Sequence, residues 1–292
     1  EGPHSTLNEE EWHDALDAAM ERVEAEEKRI QRIISNNVKA PGPAQKSFAK
    51  VTLSPTHRLY ETIDSVTLEQ LHYAKAGVSD GVWQLFAEDG EMKMFKREVE
   101  INGLVCDPLK AVHSVKGVTA REYCHYFFES DYKMDWDATL EEVNVVEICS
   151  PEDTMIIHQI HKRLWPAAQR ESLFWSHMRK APGAKDTDAV DCWIVCNQDT
   201  KCDSVPCAKG SLRVGLTVAM VCQTVISRPE NISGPLTRDA IMCKIIYVSQ
   251  VNPGGWAPSS ILRTVYKREY PRFLKRFTQY VVEKTENTPL AL

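Results

Sequence analysis

The chain has 292 residues, 43% hydrophobic and 26% charged, with a formal net charge of -6. That balance supports a sizeable buried core and excludes a mainly disordered chain, a collagen-like chain or a coiled-coil fibre. It also argues against a general nucleic-acid binder, which needs a basic surface to displace counterions.

No stretch approaches 18 apolar residues without a charge, so no transmembrane helix is predicted. The start, Glu1 to Glu11, is acidic and polar and lacks the marks of a signal peptide. The nine cysteines are an odd number, and Cys192, Cys196, Cys202 and Cys207 are separated by three, five and four residues, with no C-x-x-C pair. Free thiols in a reducing cytosol are the reading, with no structural zinc. The Asn231-Ile232-Ser233 sequon would then stay unmodified.

Residues 1–50 read as an appendage to the main core. Within it, 8–34 is rich in Glu, Ala and Arg, and Leu16, Met20, Val23 and Ile30 give a sparse helical stripe. Pro41-Gly42-Pro43 then marks a linker over 36–46. The second domain, 51–292, opens with a helix over 56–75 carrying Leu59, Ile63, Val66 and Leu71. Strands are predicted at 82–88, 91–99, 109–116, 140–149, 153–162, 171–180, 190–198, 211–226 and 240–251. A helix at 119–129 interrupts them. So many strands without intervening helices predict an α+β fold with a curved antiparallel sheet.

The last element, 258–284, is a long helix with Ile261, Leu262, Val265, Phe273, Leu274, Phe277, Tyr280 and Val281 in one apolar stripe. Pro258 suits its first turn, and Pro271 removes a hydrogen bond inside it. Two readings stay open: a bent helix packed on the sheet, or a front half able to lift while the rear stays anchored. Arg263, Lys267, Arg268, Arg272, Lys275 and Arg276 on this helix read as a solvated face or as an aid to docking on an anionic leaflet.

Covalent chemistry finds no support. The sequence has no G-x-S-x-G, no G-x-x-x-x-G-K and no G-x-G-x-x-G. His158 and His161 stand three apart on a strand, so they point to opposite faces and cannot share a metal. Asp135 and Asp137 flank Trp136, an arrangement that more often caps a turn than works as an acid/base pair. No enzyme, metal or cofactor is expected.

The strands instead carry isolated polar groups on apolar faces. One face of 153–162 holds Met155, Ile157, Gln159 and His161. On 190–198 it holds Asp191, Trp193, Val195 and Asn197, and on 240–251 Ile241, Cys243, Ile245, Tyr247 and Ser249. Singly, Gln159, Asn197 and Tyr247 are satisfied by backbone or water; converging, they suit a ligand with a small polar head and a large apolar body.

Several segments resemble the START family of lipid-transfer domains. They are Trp83-Gln84-Leu85, Gly90-Glu91-Met92-Lys93, Asp107-Pro108-Leu109-Lys110-Ala111, His161 through Ala167, Asn252 through Pro258 and Lys267 through Phe277. The likeness runs over roughly 56 to 292 and is greatest to the ceramide-carrying branch. It implies a helix-grip fold, a sheet wrapped on the C-terminal helix around a tunnel for one lipid, and carriage without covalent chemistry.

The resemblance also implies site residues. Gln159, Asn197 and Tyr247 match the family's head-group contacts, while Asp137 and Lys133 stand where the family has Glu and Arg. Four apart on a helix, those two can pair, though the carboxylate is one methylene shorter and the guanidinium fork is lost. Trp165 with Pro166, and Trp256, match loops that dock on membranes at the tunnel mouth. Glu9 to Asp17 resembles the FFAT motif read by VAP proteins of the endoplasmic reticulum, through Glu11, Trp12, His13, Asp14, Ala15 and Asp17. An acidic helix start is the alternative, since the run Ala15 to Ala19 favours helix.

The implied partners are a ceramide-like lipid, endoplasmic-reticulum and Golgi membranes and VAP, without nucleic acid. The chain reads as part of a longer protein. Another lipid (diacylglycerol, phosphatidylcholine or a sterol) and a lipid-gated scaffold that binds VAP are the alternatives.

Overall fold

Nine segments of alternating or continuous apolar character become the nine strands of one sheet, in a computed structural model that describes residues 9–36, 52–163, 168–227, 236–255 and 259–292. The chain starts with α1 (Glu9–Asn36) and α2 (Tyr60–Lys75). Then come β1 (Gln84–Asp89), β2 (Met92–Lys96), a small hairpin of β3 (Glu100–Ile101) and β4 (Leu104–Val105), and β5 (Leu109–Lys116). Two helices follow, α3 (Ala120–Phe128) and the single turn α4 (Lys133–Trp136). A run of strands comes next: β6 (Leu140–Ser150), β7 (Thr154–His161), β8 (Arg170–Lys180), β9 (Ala189–Asp199), β10 (Leu212–Ile226) and β11 (Ile241–Asn252). The closing helix is α5 (Ser259–Thr285). The predicted linker at 36–46 lies almost wholly outside the described residues.

The strand order is β1-β2-β5-β11-β10-β9-β8-β7-β6. Strands β6 to β11 form an antiparallel meander, and β11 then pairs with β5, joining it to the early strands. Side chains alternate between two cores. On one face Met155, Ile157, Phe174, Val195, Met220, Ile245 and Tyr247 pack against α3, α4 and α5. On the other Ile156, Leu173, Trp175, Ile194, Ala219 and Val221 pack with Ile63 and Val66 of α2. The face toward α5 is called the inner face below.

The two halves of α5 are held differently. Leu274, Phe277, Tyr280 and Val281 enter the inner core, and Phe277 lies against Tyr123, Phe127 and Trp136 at ring separations of 4.9, 5.6 and 4.8 Å. A polar pin reinforces this half: Thr278 Oγ1 is 2.7 Å from Tyr123 OH and 3.1 Å from His113 Nε2. The front half places Tyr266 and Tyr270 against the inner core and contributes Ile261 and Val265 to a separate small cluster with Trp12 and Leu16 of α1. The appendage helix therefore sits outside both main cores but against α5. The helix runs unbroken through Pro271.

Burial pushes His113 down to about 4, so it is neutral in the fold. Between that value and the ordinary 6.5 the unfolded chain binds the extra proton, so stability rises with pH across this window. His113→Asn is expected to flatten the dependence of the denaturant midpoint on pH there. An unchanged slope would exclude His113 as a contributor.

Candidate functional site

Sheet register decides which of the predicted residues meet. Gln159 on β7 is paired with Val143 on β6 and Ser172 on β8. Asn197 on β9 is paired with Ser176 on β8 and Val218 on β10, and Tyr247 on β11 with Met220 and Ala111. All three lie on the inner face, as the period of two requires. The register of β8 sets Gln159 and Asn197 two strands apart and four residues out of line. On a flat sheet that is roughly 13 Å along the strands, less where a sheet curls. A ligand with polar groups spread over several bonds suits that offset.

The surroundings of Asn197 are unusual for a core. Asn197 Oδ1 is buried without a hydrogen-bond partner, and so is Ser176 Oγ directly opposite it. Both are polar atoms in an apolar face, a situation that costs about 1–3 kcal/mol for each group left unsatisfied. Ser176 is missed by the sequence reading because β8 is buried on both faces and shows no alternation of polarity. The signal was present in the spacing of Ser172, Phe174, Ser176 and Met178. The Trp136 indole N–H is a further buried donor without a partner on this side of the sheet.

Around Tyr247 the ring is fixed and the hydroxyl is the variable part. Phe127, Tyr270 and Phe273 surround it at 6.0, 5.4 and 5.5 Å, and Tyr270 OH donates to the Tyr247 carbonyl at 3.2 Å. Burial, with Asp137 adding, holds the Tyr247 phenol protonated well above its usual range, so it offers a hydrogen as well as an acceptor.

Asp137 caps α4 and is the charge shared by this end of the site. Its Oδ1 accepts from Thr139 N at 3.0 Å and from Thr139 Oγ1 at 2.6 Å. Lys133 does not form the direct ion pair that four-residue spacing allows, because its Nζ donates instead to the Phe127 carbonyl at 2.8 Å. There it lies over the rings of Phe127 and Trp136. Burial pulls Lys133 down to about 8, and the Asp137 and Glu129 charges partly offset that. His161 feels the same carboxylate: burial lowers it, Asp137 opposes, and its Nε2 is 3.3 Å from Ser172 Oγ. Asp137 thus links Lys133, His161 and Tyr247, from α4, β7 and β11. His161, recognised on the correct face but not as part of the site, stands beside Gln159.

On the inner face Gln159 keeps 9% of its surface accessible and Met155, Met178, Val218 and Tyr247 each 8%, while Ile157, Val195, Met220 and Ile245 keep none. The other chemical candidates are closed by their neighbours. Asp135 Oδ2 accepts from Tyr280 OH at 2.8 Å. His158 pairs with Glu171 at 2.6 Å on the outer face. Among the described residues His57, Glu147 and Cys149 have metal-ligand types close together. Arg58 already holds both Glu147 carboxylate oxygens, at 3.0 and 2.6 Å.

Trp165, Pro166 and Trp256 lie outside the described residues. Glu11, Trp12, His13, Asp14, Ala15 and Asp17 lie on the first turns of α1, in a helix rather than an extended strand, with Trp12 buried.

A family model described as the START domain matches residues 63–287. The ceramide transfer protein of Cricetulus griseus is 46% identical over 295 residues, covering 99% of this chain and 48% of that protein. The Homo sapiens protein of that name is 43% identical over 315 residues, covering 99% and 50%. The chain thus spans about half the length of the curated relatives it matches. Among solved structures, human STARD10 aligns with a TM-score of 0.57 at 15% identity over 83% of this chain and 84% of that one. Human StAR-related lipid transfer protein 5 aligns with a TM-score of 0.56 at 12% identity over 77% and 95%. At those identities the structural likeness concerns the fold alone.

Proposed function

Since the chain belongs to the START-domain family, we propose that it carries one ceramide-like lipid at a time between membranes. The lipid lies between the inner face of the sheet and α5, with its head toward Asn197, Gln159, Tyr247, Asp137 and Lys133. The observation that carries this reading is the Asn197 Oδ1, buried in an apolar face with nothing to accept from. An amide or hydroxyl hydrogen of a lipid head supplies what is missing. The similarity to ceramide transfer proteins supports ceramide over other lipids.

The energetics explain why such a carrier is useful. Each buried methylene is worth about 0.8 kcal/mol, so a lipid with ~30 of them costs roughly 24 kcal/mol to place in water. An apolar lining cancels most of that, provided the head recovers its hydrogen bonds. Nothing covalent is asked of the protein, and no cofactor is required. Among the described residues no helix is long and apolar enough to cross a membrane, so contact with the bilayer is transient and peripheral in this reading.

Trp165, Pro166 and Trp256 are the docking residues, because tryptophan favours the membrane–water interface. Trp256→Ala is expected to lower vesicle binding and transfer between vesicles while lipid affinity in detergent stays near wild type. Equal losses in both assays would remove the docking role. The segment Glu9 to Asp17 is the VAP-binding motif in this account, which places the carrier in the cytoplasm at endoplasmic-reticulum and Golgi membranes. Because it lies in a helix with Trp12 buried, it has to unwind to be read. A peptide of residues 9–17 that fails to bind VAP would end this assignment.

A further inference from the structure

The front half of α5 combines two apolar positions, Ile261 and Val265, with two basic ones, Arg268 and Arg272. Apolar residues beside arginines are the composition of a helix face that lies in a membrane interface. In this structure that face is covered by α1, which presents the complementary set. Trp12 and Leu16 pack on Ile261 and Val265. Asp17 meets Arg268 at 3.0 Å, and Glu24 pairs with Arg272. The contacts advance together along both helices, so the two run in the same direction.

The cover changes the sign of the surface. With α1 in place the two guanidinium groups face three carboxylates, those of Asp17, Glu24 and the neighbouring Glu269. Without it only Glu269 remains. Arg263 does not add to this patch, because it is held at 2.9 Å by Asp107 with Glu98 and Glu100 beside it. Met20 of α1, also buried, lies against the Arg268 guanidinium, and the ion pairs of the cover involve half-exposed groups of the kind that contribute little.

We propose that the Ile261–Val265–Arg268–Arg272 face of α5 is a docking surface for an anionic membrane, and that α1 occupies it in the free protein. The acidic, aromatic face of α1 stands where the anionic leaflet stands in the docked state. A bilayer surface attracts the two arginines and accepts the two apolar side chains in place of α1. The choice of a membrane as the partner rests on the carrier reading above; the covering of the face by α1 does not.

The test is co-sedimentation of the full chain with phosphatidylcholine vesicles, with and without phosphatidylserine. Trp12→Ala/Leu16→Ala loosens α1 without changing charge, and Asp17→Asn/Glu24→Gln loosens it through positions outside both main cores. Both are expected to bind phosphatidylserine vesicles about tenfold more tightly than the unaltered chain. The gain should vanish at high salt and on pure phosphatidylcholine. Adding Arg268→Gln/Arg272→Gln should abolish it. Unchanged binding by both loosened variants overturns the proposal, and so does a gain that survives loss of the two arginines. Lipid recovered from the same preparations reports on the carrier reading separately, so failure of one is not mistaken for failure of the other.

Discussion

Asn197→Ala is expected to reduce lipid extraction from donor vesicles about ten- to a hundredfold while leaving the empty protein at least as stable as before. The two halves of this result have one cause. In the empty protein Asn197 Oδ1 has no partner, so removing it breaks no hydrogen bond and relieves a buried polar group. In the loaded protein the same atom accepts from the lipid head, and its removal strands a buried donor on the ligand, costing about 1–3 kcal/mol. Gln159→Ala should act in the same direction. Thermal melts of the empty protein and single-vesicle-type extraction assays read the two halves independently. Loss of stability together with activity would show that Asn197 serves the fold, and wild-type extraction by both variants would remove the head-group assignment.

The second large effect concerns the rear of α5. Phe277→Ala is expected to cost about 3–5 kcal/mol of folding stability, the range for truncating a buried phenylalanine. Phe277 is fully buried and touches the rings of Tyr123, Phe127 and Trp136, so its loss opens a void bounded by α3 and α4 as well as by the sheet. Val265→Ala, on the front half and only partly buried, should cost about 1 kcal/mol or less. Denaturant unfolding of both variants measures the contrast. Comparable losses would contradict an anchored rear half and leave no reason for the front half to move first.

What the sequence reveals follows the strength of its periodicities. Alternation over β7, β9 and β11 placed Gln159, Asn197 and Tyr247 on one face because a strand's side-chain period admits no other arrangement. The same rule separated His158 from His161, which indeed bond to Glu171 outside and to Ser172 inside. Where the period is silent, residues are lost. Strand β8 is buried on both sides, so Ser176 gave no contrast with its neighbours. The β3–β4 hairpin is too short to show any period, and the strand predicted at 91–99 overran toward it. Its signal was the dipeptide Asn102-Gly103, whose φ values of 54° and 77° are those a two-residue hairpin turn demands.

Long-range contacts lie beyond one-dimensional patterns altogether. Spacing allowed a Lys133–Asp137 pair, but the Phe127 carbonyl took the ammonium and Thr139 the carboxylate. Likewise the stripe of α1 indicated a helix with an apolar side without saying what covers it. Its contact with Ile261 and Val265 joins segments about 250 residues apart, which only the assembled fold brings together.

The most direct test of the account is to purify the chain from cells, extract it with organic solvent and identify the lipid by mass spectrometry. The account predicts a single ceramide-class lipid per chain, chemically unchanged after prolonged incubation, and its loss from Asn197→Ala. Recovery of no lipid, of a different lipid class in stoichiometric amount, or of a ligand altered by the protein would contradict it.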